Sequence, residues 1–218
     1  MAAYSGVRAL NIGRAMNEIE ELIDENIDVS FRCKAAGGAS GEFIVKTKTE
    51  ILPPSDNETI SEIKSKFGDY SKEVSEFYQK YGGISFHEQP ECFVASLCIH
   101  PPEKWEELYE EMSEWLDMMD EDELDESGID WSDNCVVFGE VPSSGNYFLM
   151  PLSGSASGKI IYQDHDGMEP EIYADSFNQF IIKFLSDPVG QIDHFGCYTR
   201  YSDGNTDKQW MPEEVIKS

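Results

Sequence analysis

The chain has 218 residues, 40% of them hydrophobic and 12% aromatic, with 43 acidic side chains against 16 basic ones and a formal net charge of −27. That length and apolar content support a core of ordinary size and exclude wholesale disorder. The charge excludes a surface that seeks nucleic-acid phosphates or anionic lipid.

No positively charged segment followed by an apolar stretch stands near Met1, and no run of about eighteen apolar residues occurs anywhere, which predicts a soluble, unexported, cytoplasmic protein without a membrane partner. Cys33, Cys92, Cys98, Cys135 and Cys197 are odd in number, scattered and free of C-x-x-C spacing. A reducing compartment is the simplest setting for them, with the thiols serving as small buried hydrophobes.

Along the chain, Ile12, Met16, Ile19, Leu22 and Ile23 recur at helical intervals among acidic residues and predict an amphipathic helix over residues 10–26. Val29 to Cys33 and Glu42 to Ile51 read as strands, the second with Phe43, Val45, Thr47 and Thr49 on one face. Gly37 to Gly41 joins them as a hairpin turn, because the Lys-Ser/Thr signature and strand-to-helix setting of a phosphate loop are missing. Leu52-Pro53-Pro54-Ser55-Asp56-Asn57 is the clearest punctuation in this half. It separates an N-terminal helix and hairpin extension, residues 1–54, from a domain over residues 55–218.

Ile60, Ile63, Phe67, Tyr70, Val74, Phe77, Tyr78 and Tyr81 then trace an apolar helical stripe that Gly68 divides in two. One of Gly82 and Gly83 is expected in the left-handed conformation that ends the helix. Phe93 to Ile99 predicts a core strand, and His100-Pro101-Pro102 leads into a two-faced helix. Trp105, Leu108, Tyr109, Met112, Trp115, Leu116 and Met119 form its apolar side, with Glu106, Glu107, Glu110, Glu111, Glu114 and Asp117 on the other. Between Glu103 and Glu126 there are thirteen acidic residues and one lysine, which marks residues 103–130 as an acidic helical insertion with a solvated tail.

From Gly145 to Leu185 the signals follow one another closely. Asn146 to Met150 and Gly158 to Gln163 are β-prone runs around the small, polar Ser153 to Gly158 loop, which reads as a hairpin. Asp164-His165-Asp166-Gly167 makes a turn, Glu171 to Ala174 a third strand, and Ser176 with Gln179 a capping box. Phe177, Phe180, Ile181, Phe184 and Leu185 follow at helical spacing until Asp187-Pro188. Ile192 to Tyr198 reads as a last strand, and the end of the chain is expected to pack through Trp210 and Met211.

This order of elements resembles the C-terminal half of the SUKH superfamily, through the turn of Gly158 to Asp166 and the helix of Ser176 to Leu185. Val74 to Phe86, a helix ending in a glycine pair and turning into a strand, is similar to the family's upstream motif, so the resemblance covers roughly residues 60 to 187. It implies an α+β fold, a mainly antiparallel twisted sheet with packed helices. It also implies a non-enzymatic protein-binding module: in bacterial relatives, an immunity protein that neutralises a toxin; in fungal Smi/Knr relatives, a regulatory scaffold.

Few residues fall in patterns that carry chemistry. Gly154 to Gly158 spells G-S-A-S-G, with Ala156 where a nucleophile elbow needs serine. His87, His100, His165 and His194 lack metal-pair spacing, and Asp164, Asp166 and Glu169 do not match a calcium loop. Carboxylate pairs are too abundant to nominate an acid or base. No catalytic, cofactor or metal residues are assigned, leaving a hydrolase or cation-dependent enzyme as a third reading. The expected partner is a basic protein, a nuclease-like toxin domain in the immunity reading, met by Glu106, Glu107, Glu110, Glu111, Glu114 and Asp117. The competing reading of that helix is a solvated face over an aromatic core stripe.

Overall fold

The computed structural model describes residues 2–35, 42–89, 95–116, 129–130, 132–165, 170–196 and 210–216, with backbone alone for residues 2–13, 35, 43, 115 and 210. Among the described residues nine strands form one antiparallel sheet in the order β8-β7-β6-β5-β4-β3-β2-β1-β9. The strands are β1 (Asp28–Ala35), β2 (Glu42–Ile51), β3 (Ile84–Glu88), β4 (Leu97–Ile99), β5 (Cys135–Val141), β6 (Asn146–Pro151), β7 (Ile160–Gln163), β8 (Glu171–Ala174) and β9 (Trp210–Ile216). Eight of them meander in chain order, and the ninth returns to pair with β1. Helices α1 (Ala2–Glu25), α2 (Asn57–Phe67), α3 (Ser71–Tyr78), α4 (Trp105–Leu116), α5 (Phe177–Ser186) and α6 (Pro188–His194) complete an α+β fold of packed helices on an antiparallel sheet.

Local chemistry sets the helix limits. Asp56 accepts from the Thr59 N–H at 2.9 Å to open α2, and Gly68 closes it at φ +52°, so the glycine divides the α2–α3 stripe as its position predicts. Ser176 accepts from the Gln179 N–H at 3.4 Å to open α5. From α3, Glu73 reaches across and accepts the Asn178 N–H at 3.0 Å, which places a carboxylate at the positive end of α5.

Alternation along the strands divides the apolar residues between two cores. Val136, Phe138, Phe148, Met150, Ile160 and Tyr162 face the larger one, with Ile19, Ile23, Phe31, Val74, Phe77, Phe177, Phe180 and Phe184. Val137, Tyr147, Leu149 and Ile161 point the other way and meet Leu108, Met112 and Leu116 of α4. The N-terminal hairpin continues the sheet through β2 and β3, and α1 buries Met16, Ile19 and Ile23 in the larger core. Val45, Thr47 and Thr49 are buried on one face of β2; Phe43, the fourth residue expected there, lies outside the described side chains.

Two local expectations are corrected. Residues 192–194 belong to helix α6 rather than to a strand, because Pro188 occupies the first turn and the Asp187 carboxylate accepts the Gly190 N–H at 3.1 Å; Cys197 and Tyr198 lie outside the described residues. The last strand is β9. Neither Gly82 nor Gly83 has positive φ. A Cβ at Gly82 would stand 2.0 Å from the Pro53 carbonyl oxygen, and one at Gly83 2.8 Å from that of Ile99, so close backbone approach is what requires glycine there. The expected strand from Phe93 is described only as Leu97–Ile99, and residues 90–94 and the Gly37 to Gly41 turn lie outside the described residues.

Candidate functional site

A 3-10 turn, Pro102–Lys104, delivers the chain into α4, and Trp105 anchors the join. The indole N–H donates to the His100 carbonyl at 3.3 Å, and the Tyr78 hydroxyl donates to the same oxygen at 2.6 Å. The Trp105 ring stands edge-on to Phe67 and Tyr78, with centroids 5.5 and 5.4 Å away. With Leu108, Met112 and Leu116 buried at intervals of four, the opposite side of the helix must face water. Glu106, Glu107, Glu110, Glu111 and Glu114 are all exposed. Asp117 and the acidic tail through residue 126 lie outside the described residues.

Two of these carboxylates have local partners. Glu107 accepts from the Lys104 ammonium at 2.6 Å, and Glu111 accepts from the Tyr147 hydroxyl at 3.2 Å. Burial, and then the neighbouring Glu111 carboxylate, push the Tyr147 phenol well above its ordinary range, so it remains a proton donor.

Pairing register places further groups on the same side of the sheet. Glu140 is opposite Tyr147 on one side and Cys98 on the other; Cys98 is opposite Ser85, and Ser85 opposite Glu50. Glu140 therefore joins the α4 side, where its carboxylate is 2.8 Å from His100 Nε2 with both side chains about a quarter exposed, at 24% and 23%. Sequence reasoning missed Glu140 and Tyr147. Each is a single polar residue in a strand, and only cross-strand pairing reveals their relation to the helix.

The same face continues over β2 and β1, where Lys46, Lys48, Arg32 and Lys34 alternate outward. These cations are largely compensated: Arg32 meets Glu214 at 3.6 Å, Lys34 meets Glu213 at 3.2 Å, and Lys48 meets Glu50 at 2.6 Å. The β1–β2 end is thus nearly charge-balanced, whereas five glutamates of α4 share one lysine.

The histidines and the described cysteines are held in local structural contacts. Burial pushes the thiols of Cys33, Cys98 and Cys135 up to about 12, which leaves little thiolate at neutral pH. His87 is bound by Asn26 and Ser96, His100 by Glu140, His165 by Asn146 at 2.8 Å, and His194 by Glu171 at 3.0 Å. Among the described residues, no group of three or more histidine, cysteine or acidic side chains is arranged to hold a metal. The Asp166 and Glu169 positions lie outside the described residues. In the G-S-A-S-G loop, Ser157 meets the Tyr70 hydroxyl at 3.0 Å, and Gly158 lies so close that a Cβ would be 2.3 Å from the Tyr70 ring.

A recess of about 210 Å³ lies beside edge strand β8, lined by Ile172, Tyr173, Ala174, Asp175, Gln179 and Lys183. Lys183 donates to the Tyr173 carbonyl at 3.0 Å and stands 3.7 Å from the ring centroid of the same residue. A charged side chain over an edge carbonyl hinders addition of another strand. No helix among the described residues is long and apolar enough to cross a membrane.

An antiparallel sheet covered by helices on one face, and carrying on the other an acidic helix, defines a class of small α+β domains whose available feature is a charged surface. The family profile of the SMI1 / KNR4 family (SUKH-1) matches residues 54–183, more than half of the chain, and the protein belongs to that family. The match begins just after β2 and ends within α5, so α1, β1, β2, α6 and β9 lie outside it. No curated protein matches the sequence. Family membership suggests either an immunity protein or a regulator of the Smi/Knr type.

Proposed function

We propose that this protein is a non-enzymatic binding module, a cytoplasmic immunity protein that neutralises a basic, nuclease-like toxin domain by docking against α4. The observation that carries this reading is the glutamate face of α4, on which Glu107 alone among the described residues meets a lysine, held in place by its own apolar core while the β1–β2 end of the same sheet face is nearly charge-balanced. Such a face steers a cationic partner into encounter and occupies the surface that the partner would offer to phosphates. Glu106, Glu107, Glu110, Glu111 and Glu114 form the steering face, Asp117 extends it in sequence, and Glu140 adds a carboxylate beside it.

The test is stopped-flow association with a basic, nuclease-like toxin domain captured from lysate of the native host. Combined Glu106→Lys, Glu110→Lys and Glu114→Lys substitutions are expected to slow association by roughly 10- to 100-fold at low salt and to flatten its dependence on ionic strength. Unchanged association and salt dependence in a folded variant would rule out α4 as the docking surface. If the wild-type chain instead captures several regulatory proteins and no such domain, the Smi/Knr-type scaffold reading replaces immunity.

A further inference from the structure

Of the four histidines His87 alone is buried, at 2% exposure, and among the described residues it is one of two non-glycine residues with positive φ, at +52°. It stands where the β2–β3 register shifts between Lys48 and Glu50. Positive φ is uncommon outside glycine, and a buried ring keeps it where its surroundings hold it.

Those surroundings come from both sides of the family boundary. His87 Nε2 is 3.1 Å from Asn26 Oδ1, just beyond α1, and His87 Nδ1 is 3.0 Å from Ser96 Oγ, just before β4. The Asn26 amide nitrogen donates to the Leu22 carbonyl at 2.8 Å, which leaves Oδ1 to accept from the imidazole. Thr49 of β2 donates its hydroxyl to the Asn26 carbonyl at 2.7 Å and lies 3.4 Å from the His87 N–H as acceptor. Asn26 and Thr49 precede the family match; His87 and Ser96 lie within it.

The ring is otherwise enclosed by Phe31 of β1, Phe86 of β3 and Phe184 of α5, with centroids 5.2, 6.3 and 5.7 Å away. The groups that meet His87 are neutral: the Asn26 amide and the Ser96 hydroxyl at the ring, the Thr49 hydroxyl at its backbone N–H, and three aromatic rings. A second proton on the imidazole would be a charge in an apolar enclosure with no counter-ion, and water reaches it only if the Asn26 and Thr49 contacts part.

We propose that His87 is an acid-sensitive latch between the N-terminal helix–hairpin and the family portion of the fold, and that protonation favours a form in which α1, β1 and β2 release from β3 while the sheet from β4 to β8 remains folded. Desolvation supports the direction, holding the buried ring down at about 3 against 6.5 when free. The open form therefore takes up a proton as pH falls through 6.5, and the closed form only near 3. Opening grows throughout that window and is unaffected above it, by roughly 25-fold between pH 7 and pH 5.

Hydrogen exchange on the full chain at pH 7 and pH 5, corrected for intrinsic exchange rates, tests this. Peptides from α1, β1 and β2 should open roughly 25-fold more often at pH 5, with β5 to β7 left behind. His87→Asn keeps a residue tolerant of left-handed backbone but takes up no proton, and should remove this pH dependence. Equal pH dependence in the variant and wild type, or uniform change over every segment, would overturn the latch. Should the variant not fold, NMR titration of the wild-type imidazole decides independently: a ring neutral through pH 5 in the folded state supports the latch, and one titrating near 6.5 refutes it.

Discussion

Phe180→Ala is expected to destabilise the fold by about 3–5 kcal/mol, a loss typical of truncating a fully buried aromatic ring. Phe180 is fully buried, at 0% exposure, on the inward side of α5. Its ring centroid lies 5.0 Å from that of Phe148, 5.5 Å from Phe138, 5.7 Å from Tyr173 and 6.2 Å from Phe177. These partners come from β6, β5, β8 and α5 itself, so the space left by truncation is bounded by rigid strands on several sides. Rings held in that way close only part of the gap, and the loss combines apolar transfer with a residual cavity. For a chain of this size the change corresponds to a fall in melting temperature of roughly 10 °C. Phe180→Leu, which retains most of the volume, should recover more than half of the loss. A thermal or urea midpoint for Phe180→Ala within about 1 kcal/mol of wild type would mean that the aromatic cluster is not the stabilising centre.

The same helix illustrates what could be read from the chain. Ser176, Gln179 and the apolar spacing through Leu185 mark α5 because cap and periodicity are local, and both are present in the structure. The β6–β7–β8 succession was legible for a similar reason: small polar residues separate short β-prone runs whose partners are neighbours in the chain. The glutamate face of α4 also follows from periodicity alone.

What escaped depended on distant partners or on competing local signals. Ile192 and its neighbours are apolar enough for a strand, and the contest is decided by Asp187 and Pro188, which close one helix and open another within two residues. Strand β9 exists through pairing with β1, nearly two hundred residues away, where Pro212 is tolerated because the strand is at the sheet edge. Glu140 becomes part of the α4 surface only because its neighbour across the ladder is Tyr147. The balance of charge at the β1–β2 end likewise arises from pairs such as Arg32 with Glu214 that no linear count exposes. Net charge therefore predicted the sign of the field, while folding decided where it is left uncompensated.

Gly82→Ala is expected to cost about 3 kcal/mol or more, although alanine is ordinarily the milder choice wherever φ is negative. The reason is position. Gly82 donates its N–H to the Leu52 carbonyl at 3.1 Å, and the Leu52 N–H donates to the Gly83 carbonyl at 2.9 Å, so two chain segments clasp by backbone alone. The added methyl would have its carbon 2.0 Å from the Pro53 carbonyl oxygen and 3.2 Å from its carbonyl carbon. Backbone atoms at that distance cannot rotate aside as a side chain could; the segment leaving β2 must move away from the turn before β3. That movement strains the paired ends Ile51 and Ile84 and weakens two hydrogen bonds, each worth about 1 kcal/mol net, on top of the overpacking cost. Gly68→Ala provides the contrast: its backbone at φ +52° and ψ −118° is unfavourable for alanine, but its Cβ would enter open space, so a smaller loss of about 2 kcal/mol is expected. Urea unfolding of the two variants separates steric exclusion from backbone conformation. A Gly82→Ala protein no less stable than Gly68→Ala would show that the Leu52–Gly83 clasp yields easily, and that the close approach is not what requires glycine at the junction between hairpin and family fold.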